Sequence, residues 1–287
     1  MEYATAPFAE IVYYASLSML RYIAIFLIIL LPIEYFIPHT KINFTFKDEL
    51  SAWTYFFVIF SVMGILAYEI YDVIKLVAPQ TPLNYIREYF VPIVGAWPVW
   101  VQLAVMFILF ELGNYWMHRL SHQWSWLWYF HQIHHSADNV RALTTYRLHV
   151  VEKLGQALYH FMIFYLLGFS ILPGLILGSF FKAFAITTHV NIRYRIKWLE
   201  PLVCMPYYHL RHHDVRVAHK VNFAYFFPVM DKIFGTCDLS NYDWPKKTVM
   251  SNSTLGDTFF SQLIYPFRRI ARDVVSFFKK QKTSSLD

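Results

Sequence analysis

The stretch Glu111-Leu-Gly-Asn-Tyr115-Trp-Met-His118-Arg-Leu-Ser-His122 closes an apolar run that begins near Trp97. At about 100° per residue, Glu111, Tyr115, His118 and His122 fall within roughly 60° of arc on one helical face. Two imidazoles four residues apart can share one metal ion, with a carboxylate two turns below them. The run behind them, Trp97 to Trp116, is long enough to cross a hydrocarbon core of roughly 30 Å. The stretch therefore reads as a membrane helix that emerges into a metal site.

Histidines continue outward from it. His131-Gln-Ile-His134-His135 follows at once, and its spacing is repeated far downstream as His209-Leu-Arg-His212-His213. His189 stands between them in Thr188-His189-Val190-Asn191. The i, i+3, i+4 spacing puts each triplet on one helical face. Neutral imidazoles packed without an electrophile would leave many ring nitrogens seeking partners, which is costly at a dry interface. Imidazole suits zinc, copper, iron and nickel. Eight or nine ligands exceed the four of one structural zinc and suit two ions, with iron the best reading. His39 and His160 stand apart from the boxes and read as structural.

Composition agrees with a membrane setting. Of 287 residues, 57% are hydrophobic, 20% aromatic and only 15% charged, against about 25% charged in soluble domains. The formal charge of +6 fits basic residues gathered on the cytoplasmic side, and no nucleic-acid motif accompanies it. Cys204 and Cys237 form no CxxC pair and no disulfide framework.

Further apolar runs span Ala15 to Ile37, Ala52 to Ile74 and Ala157 to Val190. The last is interrupted by Leu172-Pro173-Gly174, read as a turn. Residues 1–16 lack the basic segment and small-residue cleavage site of a signal peptide. They also carry no Lys or Arg, whereas Arg119, Arg141, Arg147 and Lys153 follow the third run, and Arg193, Arg195, Lys197, Arg211, Arg216 and Lys220 follow the fourth. The asymmetry puts every box in the cytoplasm and makes the fourth run a hairpin with the Pro-Gly turn at its tip. Few charges lie near the span interiors: Glu34, Glu69, Asp72, Glu111 and Lys182. They trace no path across the bilayer, which weighs against a non-catalytic metal carrier. The stretch Phe259 to Lys282 reads either as an amphipathic helix on an anionic membrane surface or as a packed terminal helix.

The expected fold is all-α: a polytopic membrane protein of three transmembrane helices plus a helical hairpin, under a cytoplasmic helical cap that holds a di-metal site. Residues 1–97 form the N-terminal transmembrane region, 98–240 the histidine-box catalytic domain and 241–287 a basic tail.

The chain resembles the fatty acid hydroxylase superfamily, also called the sterol desaturase family. The strings are Tyr115-Trp-Met-His118-Arg119-Leu-Ser-His122, Leu127-Trp-Tyr-Phe-His131-Gln-Ile-His134-His135-Ser136, Arg147-Leu-His149-Val-Val-Glu152, Thr188-His189-Val-Asn191, His209-Leu-Arg-His212-His213, and Asn222-Phe-Ala-Tyr through Asp231-Lys-Ile-Phe-Gly235-Thr236. They cover roughly residues 100–240. Val150, Ala224 and Met230 depart from the family's usual Pro, Gly and Trp, and none removes a ligand.

The resemblance implies a membrane-bound non-haem enzyme with two iron ions, which zinc can replace on expression. It implies dioxygen-dependent hydroxylation of a membrane lipid, with desaturation as the alternative outcome. It carries ligand roles onto His118, His122, His131, His134, His135, His189, His209, His212 and His213. Glu111 and His149 are the candidate catalytic groups. Asp138, Arg147, Glu152 and Asp214 are candidates for supporting the ligands from behind, because ligating imidazoles usually donate their other N–H to a carboxylate or carbonyl. No GxGxxG after a strand, no iron–sulfur cysteine set and no haem module appears. Electrons are therefore expected from a separate carrier and its reductase, docking near Arg193 to Lys197.

Overall fold

In the computed structural model, residues 8–41, 46–77, 80–137, 139–217, 220–240, 244, 255–256 and 258–284 are described. They form ten α-helices, and the described residues contain no strand beyond one isolated bridge, Pro38 to Ile192. The helices are α1 (Phe8–Phe36), α2 (Phe46–Val77), α3 (Leu83–Gly95), α4 (Val99–Gln123), α5 (Ser125–His131), α6 (Val150–Leu167), α7 (Ile171–His189), α8 (Pro206–His213), α9 (Val229–Ile233) and α10 (Phe259–Ser284). Short 3-10 turns cover His134–Ser136, Ala142–Tyr146 and Val215–Val217.

Among the described residues, α4 is the one helix long and apolar enough to cross a membrane, and Ile23–Phe36 of α1 is a shorter apolar segment. Large apolar side chains stand exposed along α1 (Ile25, Ile28, Ile29), α3 (Tyr85, Tyr89) and α4 (Trp100, Ile108). A soluble monomer rarely leaves so much apolar surface in water.

α4 is the central strut, packed on α5, α6 and α7. Gly113 makes the approach of α6 possible: a Cβ there would lie 1.9 Å from the Tyr159 ring, whose hydroxyl donates to the Leu109 carbonyl at 2.9 Å. On the other side of α7, α1 and α2 enclose the Ala142–Tyr146 turn with a core of Ile23, Leu27, Phe56, Leu143 and Ile186. The buried Glu34 carboxylate ties this region together, accepting the backbone N–H of Ala142 at 2.8 Å and of Asn191 at 2.7 Å.

One expectation needs correction here. The reversal between α6 and α7 falls at 168–170, before Leu172-Pro173-Gly174. Gly168, at φ 68°, closes α6, and Pro173 sits in the first turn of α7, where its missing N–H breaks no helical bond. Between the second and third apolar runs lies α3, which packs on α6. The terminal helix expected from Phe259 is present as α10. Its first half packs on α5 and α2 through Tyr265 and Gln262. Beyond Asp273 its apolar residues Val274, Val275, Phe277 and Phe278 are exposed.

Candidate metal centre

One end of the bundle collects the histidines. α4 delivers His118 and His122 from its last turns, α7 ends on His189, and α8 carries His209, His212 and His213. α5 ends at His131, so the chain leaves the helix before His134 and His135, which lie in the following 3-10 turn. The first triplet therefore does not share one helical face.

That break matters, because the nine imidazoles sort into two groups. His118, His122, His131, His135 and His212 form one, and His134, His189, His209 and His213 the other, each with ligand atoms within 4.8 Å of one another. Each triplet is divided between them, while His118 and His122 stay together. His131 and His135 join the first group while His134 joins the second; His209 and His213 join the second while His212 joins the first. The groups adjoin, with the His135 and His213 rings 4.4 Å apart.

The ring nitrogens show what the groups are for. His118 Nδ1 donates to the Phe223 carbonyl at 3.0 Å and His212 Nδ1 to the Val221 carbonyl at 2.8 Å. Both Nε2 atoms are then bare lone pairs in the neutral rings, yet they lie 3.0 Å apart. His131 Nδ1 donates to Glu152 Oε1 at 2.8 Å, and His131 Nε2 lies 3.2 Å from His135 Nε2. In the second group His189 Nδ1 donates to the Ala185 carbonyl at 2.8 Å, leaving its Nε2 3.1 Å from His134 Nε2 and 3.0 Å from His209 Nε2. Lone pairs converging at this range repel unless a cation lies between them. Nitrogens 3.0–3.2 Å apart and each ~2.0–2.1 Å from one ion would subtend roughly 90–100° there, below the tetrahedral angle of a structural zinc. The donor set fits two metal ions of higher coordination number.

Burial supports the same assignment. His134, His135, His209 and His213 are pushed well below the ordinary histidine range, first by burial and then by neighbouring imidazoles. They are held neutral, the form that binds metal.

The remaining candidates are placed as follows. Glu152 supports His131 directly. Glu111 is fully buried and touches no imidazole: its carboxylate accepts the backbone N–H of Tyr225, Phe226 and Phe227 at 2.9–3.1 Å. His149 lies outside both groups. It caps α6, accepting the Val151 N–H on Nδ1, and its Nε2 donates to the Leu263 carbonyl at 3.0 Å. Arg147 lies over the Tyr55 ring at 5.9 Å. Asp214 clamps Arg211 and Arg216; burial opposes its ionisation, but those arginines hold its carboxyl below the usual range. Asp138 lies outside the described residues.

Sequence reasoning missed the backbone acceptors. Val221 and Phe223 offer carbonyls, so no side chain announces them. Their position is set by Asn222 at φ 61°, whose amide donates to the Tyr208 and Asp238 carbonyls. Asp231 completes the frame, accepting from Phe223 N, Ala224 N, Tyr208 Oη and Thr236 Oγ1 at 2.6–2.8 Å. Asn tolerates the left-handed region, so an Asn between apolar residues just after the last box was the available signal.

Nine imidazoles on helices and a 3-10 turn thus form two groups, each of which could hold a metal ion. Residues 103–236 match the fatty acid hydroxylase family model. The chain is similar to ornithine lipid hydroxylase OlsE of Rhizobium tropici, 29% identical over 67% of this chain and 57% of that protein. Alkylglycerol monooxygenase of Homo sapiens is 28% identical over 47% of this chain and 30% of its own length. Methylsterol monooxygenase 1-3 of Arabidopsis thaliana is 28% identical over 68% of this chain and 66% of its own. The chain thus spans from 30% to 66% of the lengths of these relatives. No solved structure matches it.

Proposed function

We propose that the protein is a membrane-bound non-haem di-iron oxygenase that hydroxylates a C–H bond of a lipid, fatty acyl, sterol or related, using dioxygen and external electrons. The observation that carries this reading is the convergence of bare Nε2 lone pairs in two adjoining groups. The relatives' names agree on hydroxylation or monooxygenation of lipids while differing in the lipid, so they support the reaction class more than a substrate.

Iron held by the nine histidines supplies dioxygen activation and oxidation of an unactivated C–H bond. The protein's own groups do the rest. The carbonyls of Val221, Phe223 and Ala185 and the Glu152 carboxylate hold Nδ1 protons, and so aim Nε2 inward. Glu111 fixes the 225–227 turn against α4, and His149 acts as a helix cap rather than a reacting group. The rings of Phe223 and Trp128 pack on the imidazoles and keep water from them.

We assign α1, α2 and α4 as spans and α6–α7 as a hairpin, because α6 begins and α7 ends beside the imidazoles. The Lys/Arg asymmetry puts this end in the cytoplasm. A separate electron carrier and reductase then reach it from that side, on the basic surface from Arg193 to Lys197. Labelled dioxygen supplied with a reductase system should leave oxygen-18 in a lipid product. Label from water, or turnover under strict anaerobiosis, would refute the oxygenase reading. Dioxygen consumption with an unlabelled alkene would instead identify a desaturase.

A further inference from the structure

Helix α10 turns its apolar side away from the fold. Its polar contacts run along one side, at Gln262, Tyr265, Arg269 and Asp273. Gln262 Oε1 accepts the Tyr55 hydroxyl at 2.9 Å, and the Tyr265 hydroxyl donates to Gln132 Oε1 at 3.3 Å. Asp273 Oδ2 accepts the Tyr129 hydroxyl at 2.5 Å, with the Arg269 guanidinium over the Tyr129 ring. On a helix of about 100° per residue these four side chains share roughly 80° of arc.

The apolar stripe lies opposite. Phe260, Ile264, Phe267, Ala271, Val274 and Phe278 follow one another at spacings of four and three residues. That rhythm keeps them within roughly 80° of arc, centred about 180° from the packed side. All six are exposed, Phe260 by 72% and Phe278 by 62%. Phe267 also reaches Phe130, with ring centroids 5.5 Å apart, and is still half exposed. Arg268, Arg272 and Lys279 form an exposed row beside the stripe. Residues 268–280 hold five basic side chains and one acid, Asp273, which is committed to Tyr129.

The helix also lies at the metal end of the bundle. It packs on α5, which ends at His131, and its Leu263 carbonyl accepts from His149. Trp124 and Trp126, at the corner between α4 and α5, are exposed there as well; Trp gathers where membrane meets water. An aromatic stripe with a basic edge suits a helix lying in the plane of a lipid surface. Its rings enter the acyl boundary, and its long basic side chains reach the phosphates. A second copy of the chain could meet a stripe of this spacing as a coiled coil. Such a pair would set no acidic side chain against the basic row, whereas an anionic leaflet supplies phosphates along its whole length.

We propose that the outward face of α10 lies on the anionic leaflet at the metal end of the bundle, as a surface anchor that reads phospholipid charge. The test uses full-length protein in nanodiscs of phosphatidylcholine, with or without phosphatidylglycerol. In a Cys237→Ser background, where Cys204 is buried, a fluorophore is attached at Phe278→Cys or at Ser276→Cys. Nitroxide-labelled acyl chains serve as the quencher. With phosphatidylglycerol present, the label at 278 should be quenched and the label at 276 spared. Arg272→Gln combined with Lys279→Gln should lower the ratio of bound to free α10 roughly thirtyfold, at about fivefold per basic side chain. Unchanged metal content in the variants would show that they fold. Equal quenching at the two positions, or quenching at 278 that ignores phosphatidylglycerol, would overturn the proposal. Shielding of 278 from both water and nitroxide, with cross-linking between copies through Phe278→Cys, would overturn it in favour of a dimer. None of these readouts needs turnover, so failure here is distinct from failure of the oxygenase reading.

Discussion

The two imidazole groups use the same side chain and are held in different ways. The five-membered group hangs on partners outside the elements that carry it: the carbonyls of Val221 and Phe223 orient His212 and His118, and Glu152 of α6 orients His131. Three members of the four-membered group sit on the helices that carry them, and His134 on the 3-10 turn after α5. His189 is fixed by its own α7 carbonyl at Ala185, and His209 and His213 by one turn of α8. His213 Nδ1 is buried with no partner. Damage to the 221–238 segment should therefore reach the first group before the second, and loss of one box member should reach whichever group that member serves.

The largest effects should come from the members each box lends across. His212→Ala and His134→Ala should each abolish lipid oxidation and lower bound metal, the first from the five-membered group and the second from the four. Membrane insertion should be unchanged, and the check is product analysis beside elemental analysis. Full metal content in either variant would break the comparison.

Asp231→Ala should follow. It strands two backbone N–H groups and two hydroxyls, and leaving buried partners unpaired should cost about 3–5 kcal/mol. Thermal unfolding of the detergent-solubilised protein would show it, with Asp231→Asn milder. Glu152→Gln is smaller again, removing only the charge behind His131. Metal affinity should fall about 10–100-fold at the five-membered group alone, read by competition with a chelator. A loss shared by both groups would show that they act as one unit.

The smallest effect should be at His149. His149→Ala should cost about 1 kcal/mol as a lost cap, and His149→Asn should restore most of it, with metal content unchanged in both. Loss of metal on His149→Asn would add this residue to the ligand set.

The histidine boxes and the family were legible because they are local strings of chemically distinctive residues. Their division between two groups was not. Spacing of i, i+3, i+4 places His131, His134 and His135 together only if the helix continues, and it stops at His131. That the fourth apolar run is two helices was legible from its interruption, but the place of the break was not, since a proline can open α7 as readily as end α6. α3 was hidden by an irregular pattern with Pro92 inside it. Glu111 stood out as an acid in a membrane helix, yet its partners are backbone amides more than a hundred residues away.

The central claim is that the two groups hold two metal ions. Elemental analysis of iron-loaded, well-folded, full-length protein tests it most directly. Two first-row metal ions per chain are expected, with zinc in place of iron also acceptable because it competes well for imidazole. One ion or fewer per chain would contradict the account.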